Sequence, residues 1–182
     1  MGTHVTAAGE GNWRDLERLF GPKGASSGCW CQYWLLSRAG YRSRDRADNK
    51  HDLRLQVRAG RAGLLALRDG EAVGWARLTP REELSWVSAH FPEQNFPDDG
   101  AWSLPCFYVA NTARGSGVMR TLIRDASRRA REQGVPLEAY PIDTEIPGAT
   151  EDRYSGVLAA FLAEGFDQVA RLSKDRVLVR RP

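Results

Sequence analysis

The 182-residue chain is 42% apolar and 27% charged, a globular balance rather than a disordered one. Its net charge of +3, from 26 basic and 23 acidic residues, gives no general case for binding nucleic acid or a membrane surface. Three cysteines (Cys29, Cys31 and Cys106) and three histidines fit a reduced compartment and argue against a disulfide scaffold or a zinc site.

Residues 1–11 are polar, lack the apolar stretch of a signal peptide, and are expected to be flexible. No apolar run approaches about 18 residues, so no membrane span is expected and the location is read as cytoplasmic. Trp13, Leu16, Leu19 and Phe20 recur at helical spacing, and Gly21-Pro22 stops that helix. A Gly/Ser-rich link over 24–28 leads into Cys29-Trp-Cys-Gln-Tyr-Trp-Leu-Leu36, read as a strand or a short buried element. Residues 37–49 read as a solvated loop, with Asp48 capping a short helix through Val57. Asp69-Gly70 between the apolar runs 63–68 and 72–78 is a hairpin signal. Residues 80–99 read as a long irregular loop.

Residues 101–110 form an expected strand, with Pro105 marking a bulge or an edge because proline donates no ladder bond. A helix over 118–133 follows, its inner face marked by Val118, Leu122, Ala126 and Ala130, and Gly134 ends it. Its arginines (124, 128, 129 and 131) read as a solvated face, with RNA binding as the alternative. A strand over 136–143, a loop, a helix over 155–164, and strands over 166–172 and 176–180 complete the chain. No repeat or linker divides it, so one domain over 1–182 is expected.

The stretch most informative about function is the strand, turn and helix around Arg114-Gly-Ser-Gly-Val-Met119. Gly115 and Gly117 permit a sharp bend and remove side chains that would block a ligand. The first-turn N–H groups then converge on one spot, where their partial positive charge suits a pyrophosphate. It is neither a dinucleotide fingerprint, since a third glycine is missing, nor a Walker loop, since no Gly-Lys-Ser/Thr follows. A plain helix entry remains the alternative.

This turn resembles the Arg/Gln-x-x-Gly-x-Gly/Ala segment of the GNAT N-acetyltransferase superfamily, with Met119 standing where Gly or Ala is usual. The element order agrees over almost the whole chain. The hairpin 71–77 and the ending Ala163-Glu-Gly-Phe-Asp-Gln-Val169 are similar to the family's second and third strands and its Gly-Phe-x-x-Val close. The Cys29-Trp-Cys-Gln-Tyr-Trp34 segment resembles a bacterial subgroup of these enzymes. The fold so implied is α/β (α+β), a mixed, mostly antiparallel central sheet flanked by helices.

The resemblance implies an acyltransferase that passes an acetyl group from acetyl-CoA to a primary amine by direct attack. Phe107, Tyr108 and Val109 would meet the pantetheine arm, and Arg114, Gly115, Ser116, Gly117, Val118 and Met119 the pyrophosphate, with Arg120 near a CoA phosphate. A backbone N–H near Tyr108 would stabilise the oxyanion. The family's thiolate-protonating tyrosine falls on Phe161 here, so Tyr154 is the candidate general acid. Glu82, Glu83, Glu138 and Asp143 are candidate bases. Trp30, Trp34 and Tyr140, with Tyr33 and Trp86, would wall the acceptor pocket or pack the core. Cys106 reads as core packing, with a covalent acyl relay as the alternative. The implied partners are acetyl-CoA and an amine acceptor, with a homodimer allowed for and neither a membrane nor a nucleic-acid partner expected. A non-catalytic acyl-CoA-binding module and a toxin-like acetyltransferase of aminoacyl-tRNA are the competing readings.

Overall fold

The computed structural model describes residues 2–151 and 153–182. In chain order the elements are β1 (Thr3–Ala7), α1 (Trp13–Phe20), α2 (Arg38–Arg42), α3 (Arg46–Arg58), β2 (Gly63–Arg68), β3 (Glu71–Arg77), β4 (Thr79–Pro80), α4 (Ser85–His90), β5 (Trp102–Leu104), β6 (Phe107–Val109), α5 (Val118–Glu132), β7 (Leu137–Ala139), α6 (Leu158–Leu162), β8 (Asp167–Arg171) and β9 (Val177–Arg181). They build a four-stranded sheet, β1-β2-β3-β6, and a five-stranded sheet, β4-β5-β7-β9-β8. Every strand pair is antiparallel except β5 with β7. No helix among the described residues is long and apolar enough to cross a membrane.

Alternation along the strands separates two cores. Leu65, Trp75, Tyr140 and Leu178 face one side, where α1, α3 and α4 pack with Leu16, Leu53 and Val87. Their neighbours Leu64, Ala66, Ala76, Ala139 and Val179 face the other, against Leu122, Ile123 and Ala126 of α5 and Phe161 of α6. The strands are thus covered on both faces, with α1, α3, α4, α5 and α6 each contributing buried apolar side chains.

Several elements depart from their sequence reading. Within residues 1–11, expected to be flexible, β1 adds to the outer edge of β2 with Thr3 opposite Arg68 and Ala7 opposite Leu64. Of the two readings of residues 29–36, the strand gives way to the short buried element, a run of turns with Trp30, Cys31 and Trp34 buried, because Trp30 and Cys31 take left-handed φ values of 43° and 57°. The loop expected over 37–49 holds two helix starts. Ser37 Oγ accepts from Gly40 N at 3.1 Å, and Asp45 accepts from Asp48 N at 2.8 Å while Asp48 Oδ2 accepts from Asp45 N at 3.3 Å. This reciprocal pair makes Asp45 the cap of α3 and moves Asp48 into its first turn. Residues 80–99, read as irregular, contain α4. The helix expected over 155–164 shortens to α6 because Val157 is held in a bridge to Ile142.

The expected strand 101–110 divides at Pro105. β5 pairs in parallel with β7, whereas β6 pairs with β3 in the other sheet. Proline cannot donate to a ladder, and here the chain leaves one sheet for the other. Among the described residues β6 therefore has no strand partner on the side away from β3.

Candidate active site

The turn between β6 and α5 forms one wall of the site. Gly115 and Gly117 have φ of 72° and 82°, a region that L side chains disfavour. A Cβ at either would meet nothing within 4 Å, so backbone conformation, not crowding, calls for glycine, and the turn is open to a ligand. Gly117 caps the 15-residue α5 without a side-chain hydrogen bond, which leaves the first-turn N–H groups of Val118, Met119 and Arg120 available to an anion. Ser116 Oγ donates to Ala113 O at 2.7 Å, and Arg68 Nη2 donates to Ser116 Oγ at 2.9 Å. Arg68, which the sequence reading passed over, thus brings a cation to the turn from β2. Arg114 Nε donates to Val109 O at 3.4 Å. Arg120, expected near a CoA phosphate, is ion-paired with Glu164, as is Arg124. Those pairs, Arg124 foremost, hold the Glu164 carboxyl below its ordinary value.

Position is given to α5 by a missing side chain. A Cβ on Gly74 of β3 would lie 2.5 Å from Val118 Cγ1, so the first residue of α5 seats directly on the strand.

β6 supplies a second wall. Arg77 N donates to Cys106 O at 2.9 Å and Ala110 N to Val73 O at 3.0 Å, which sets the phase of the β3–β6 ladder. In that phase Tyr108, opposite Trp75, turns its own N–H toward β3. The oxyanion donor expected near Tyr108 is therefore not its own N–H. The groups on the opposite edge are Phe107 N–H, which donates to Tyr154 O at 2.5 Å, and Val109 N–H.

Beside this edge lies a cavity of about 310 Å³ lined by Cys31, Trp34, Cys106, Phe107, Tyr108 and Tyr154, with Tyr33, Trp86 and Arg176 also on its wall. Trp34, one of the aromatics named for an acceptor pocket, is on its wall. Tyr140 lies fully buried behind Trp34, the two rings stacked with centroids 5.6 Å apart. Burial pushes its phenol well above the usual value. Trp30 faces instead a separate open groove with Arg14, Arg46 and Lys50. Phe161, in the place of the expected acid, is fully buried against Phe107 and Phe166.

None of the four carboxylates read as bases lines this cavity. Glu82 is exposed, and Glu83 accepts from Thr79 Oγ1 at 2.6 Å. Glu138 is fully buried, accepting from Tyr140 Oη at 2.7 Å and ion-paired with Arg81 and Arg180 at 3.2 and 3.3 Å. Asp143 pairs with Arg171.

At the cavity floor is a thiol cluster that only Cys106 had suggested. Cys31 Sγ accepts Trp75 Nε1–H at 3.0 Å and lies 3.3 Å from Cys106 Sγ, hydrogen-bonded to it. Arg77, 1% exposed, donates through Nη2 to Gln56 Oε1 at 2.7 Å, while its Nε and Nη1 have no hydrogen-bond partner among the described residues. The Cys106 hydrogen bond, then the Arg77 charge and the Trp75 N–H, pull the Cys31 thiol below its ordinary value against the effect of burial. Cys106 is pushed well above it by the same sulfur contact and by burial. Burial holds Cys29 at about 11. One signal for this cluster was present in the sequence: Arg77 lies two residues after Trp75, on the inward register of β3.

A family model described as the acetyltransferase (GNAT) family matches residues 29–144. No curated protein matches the chain. Among solved structures, the chain is similar to a Corynebacterium glutamicum protein described as histone acetyltransferase HPA2 and related acetyltransferase. That match has 19% identity and a TM-score of 0.60, covering 100% of this chain and 97% of that one. PaiA N-acetyltransferase of Thermoplasma acidophilum, in complex with coenzyme A, aligns over the full length of both chains with 12% identity and a TM-score of 0.58. Salmonella typhimurium yncA, solved with acetyl-CoA, aligns over 100% of this chain and 94% of its own with 14% identity and a TM-score of 0.56.

Proposed function

Because the chain belongs to the acetyltransferase (GNAT) family, we propose that it transfers the acetyl group of acetyl-CoA to a primary amine of a small molecule or protein. The observation that carries this reading is the open left-handed turn at Gly115 and Gly117, which caps α5 beside the outer edge of β6. A pyrophosphate at that helix start would meet free N–H groups, the helix dipole and the cation of Arg68. The pantetheine arm would then run along Phe107, Tyr108 and Val109 and bring the thioester to the cavity mouth. Neighbours solved with coenzyme A and acetyl-CoA support the same donor.

In this reading the aromatic wall of Tyr33, Trp34 and Trp86 receives the acceptor, and Tyr154 protonates the departing CoA thiolate. Calorimetric titration with acetyl-CoA, with ATP and NAD as controls, tests the donor. The expected result is micromolar binding of acetyl-CoA alone. Gly117→Glu, which sets an anion against the phosphates, is expected to abolish it while the protein remains folded by circular dichroism. Normal binding by that variant would remove the turn from the site.

A further inference from the structure

We propose that Cys31 and Cys106 are an oxidant-sensing dithiol, which a peroxide closes into a disulfide across the floor of the cavity and a thiol reductant reopens. The pair takes no part in the transfer itself, and its bearing on donor and acceptor rests on the acetyl-CoA reading.

The two sulfurs lie 3.3 Å apart although their residues are 75 positions apart in the chain. A disulfide needs about 2.05 Å, so the sulfurs have about 1.2 Å left to travel. They already stand in one row of hydrogen-bonded groups. Trp75 Nε1–H donates to Cys31 Sγ at 3.0 Å, the Cys31 thiol donates to Cys106 Sγ, and the Cys106 thiol reaches Phe107 O at 3.9 Å. Both backbones are held from outside the pair. Gln32, next to Cys31, exchanges two side-chain amide hydrogen bonds with Gln56 of α3, each 3.1 Å, and Arg77 N donates to Cys106 O at 2.9 Å. Folding has therefore met the entropy of closing this long loop before any oxidant arrives. The third thiol stands outside the row, because Cys29 Sγ donates to Gly24 O at 3.7 Å. All three cysteines line the same cavity of about 310 Å³, which gives a small peroxide a path to the two buried sulfurs. Plain packing accounts for one buried cysteine. It does not call for a second in contact with it at a cavity wall.

The chemistry balances with hydrogen peroxide as the oxidant. One sulfur attacks a peroxide oxygen, the O–O bond breaks, and the thiol proton leaves with the departing oxygen as water. The neighbouring sulfur attacks the sulfenic sulfur so formed, the S–O bond breaks, and the second thiol proton completes a second water. The sum is two thiols plus hydrogen peroxide giving a disulfide and two waters, with two electrons passing from sulfur to oxygen. The bond ties the turns that carry Tyr33 and Trp34 to Cys106, the residue before β6. It draws the aromatic wall toward the strand along which the pantetheine arm is proposed to lie, and so narrows the cavity between them. A reversible disulfide of this kind is compatible with a reducing compartment, where permanent structural ones are rare.

The test needs no acceptor. Reduced protein is treated with hydrogen peroxide, digested without reductant and analysed by mass spectrometry. The expected product is a peptide pair joined through Cys31 and Cys106, two hydrogens lighter than the separate thiols and separated again by dithiothreitol. Cys29→Ser should still form it, and Cys31→Ser and Cys106→Ser should not. A linkage through Cys29, or sulfenic and sulfinic acids without any linkage, would overturn the pair, and the wild type alone shows this if a variant fails to fold. Closure of the cavity is read at Cys29, on the same wall. N-ethylmaleimide should label it at least about tenfold more slowly in the oxidised protein than in the reduced, since thiol reactivity follows access. Equal rates would overturn the narrowing. Saturating acetyl-CoA should slow formation of the disulfide by about tenfold or more, because the arm covers the approach to both sulfurs. An unchanged rate with acetyl-CoA shown by calorimetry to be bound would overturn the placing of the pair beside the donor. Absence of acetyl-CoA binding would overturn the acetyl-CoA reading, and the linked peptide would then decide the dithiol by itself.

Discussion

Gly74→Ala tests how a strand fixes the mouth of the site. The added Cβ would lie 2.5 Å from Val118 Cγ1 and 3.4 Å from both Ala66 Cβ and Leu122 Cδ1. Carbon atoms rest at about 3.5–4.0 Å, so the Val118 contact must open by about 1 Å. Val118 is 2% exposed and sits in the first turn of α5, so relief comes from moving the helix start rather than swinging a loose chain end. Overpacking of this kind costs about 1–3 kcal/mol. For a chain of this size that lowers the melting temperature by about 2–12 °C. The same shift moves the N–H groups proposed to hold the pyrophosphate, so acetyl-CoA affinity should fall by about tenfold or more, in line with about 1.4 kcal/mol of lost interaction. Differential scanning fluorimetry and calorimetric titration read the two effects on one sample. A variant that melts and binds like the wild type would refute the idea that the Gly74–Val118 contact positions α5.

Tyr154→Phe should lower turnover about a hundredfold while acetyl-CoA affinity stays within about twofold, because the bond from Phe107 uses the Tyr154 backbone; an unchanged rate would remove Tyr154 from the chemistry. Glu138→Ala should cost about 3 kcal/mol in urea unfolding, the low end for a broken buried pair, because Arg180 retains Asp99. A loss below about 1 kcal/mol, the range of exposed ion pairs, would mean that the network contributes little. Asp175 accepts from both the N–H and Oγ1 of Thr150, and the backbone bond foremost holds its carboxyl below the ordinary value. A folded value below the unfolded one, about 3.9, gives stability that is present above that pH and lost as the pH falls through the folded value. The melting temperature should therefore be level from about pH 7 to 5 and fall below about pH 4. Asp175→Asn should flatten that fall, and an identical acid profile would exclude the Thr150 contact as its source.

What was legible in the sequence is what local physics decides. α1, the hairpin and α5 carry their periodicity and stop signals within a few residues, and Asp69-Gly70 takes the positive φ pair that a two-residue turn needs. The glycine turn was legible for the same reason. β1 was not, because a five-residue strand of mixed polarity is decided by the vacant edge of β2 rather than by its own pattern. Nor was the geometry of residues 29–31, where tertiary contacts override the extended preference of an aromatic run. The cavity was only partly visible. Trp34 and Tyr154, both singled out from the sequence, line it, but the meeting of Cys31 with Cys106 spans 75 residues of sequence, and no local rule predicts it.

Opposite faces of the strands serve opposite ends of the proposed reaction. Trp75 and the aromatic segment after Cys29 belong to one core, while neighbouring Ala76 packs toward α5 in the other. Substitutions in the two layers share few partners, so their energetic effects should add rather than interact. Reworking the aromatic layer thus changes the choice of acceptor with little epistatic penalty on the donor side, a physical basis for one scaffold giving rise to many specificities.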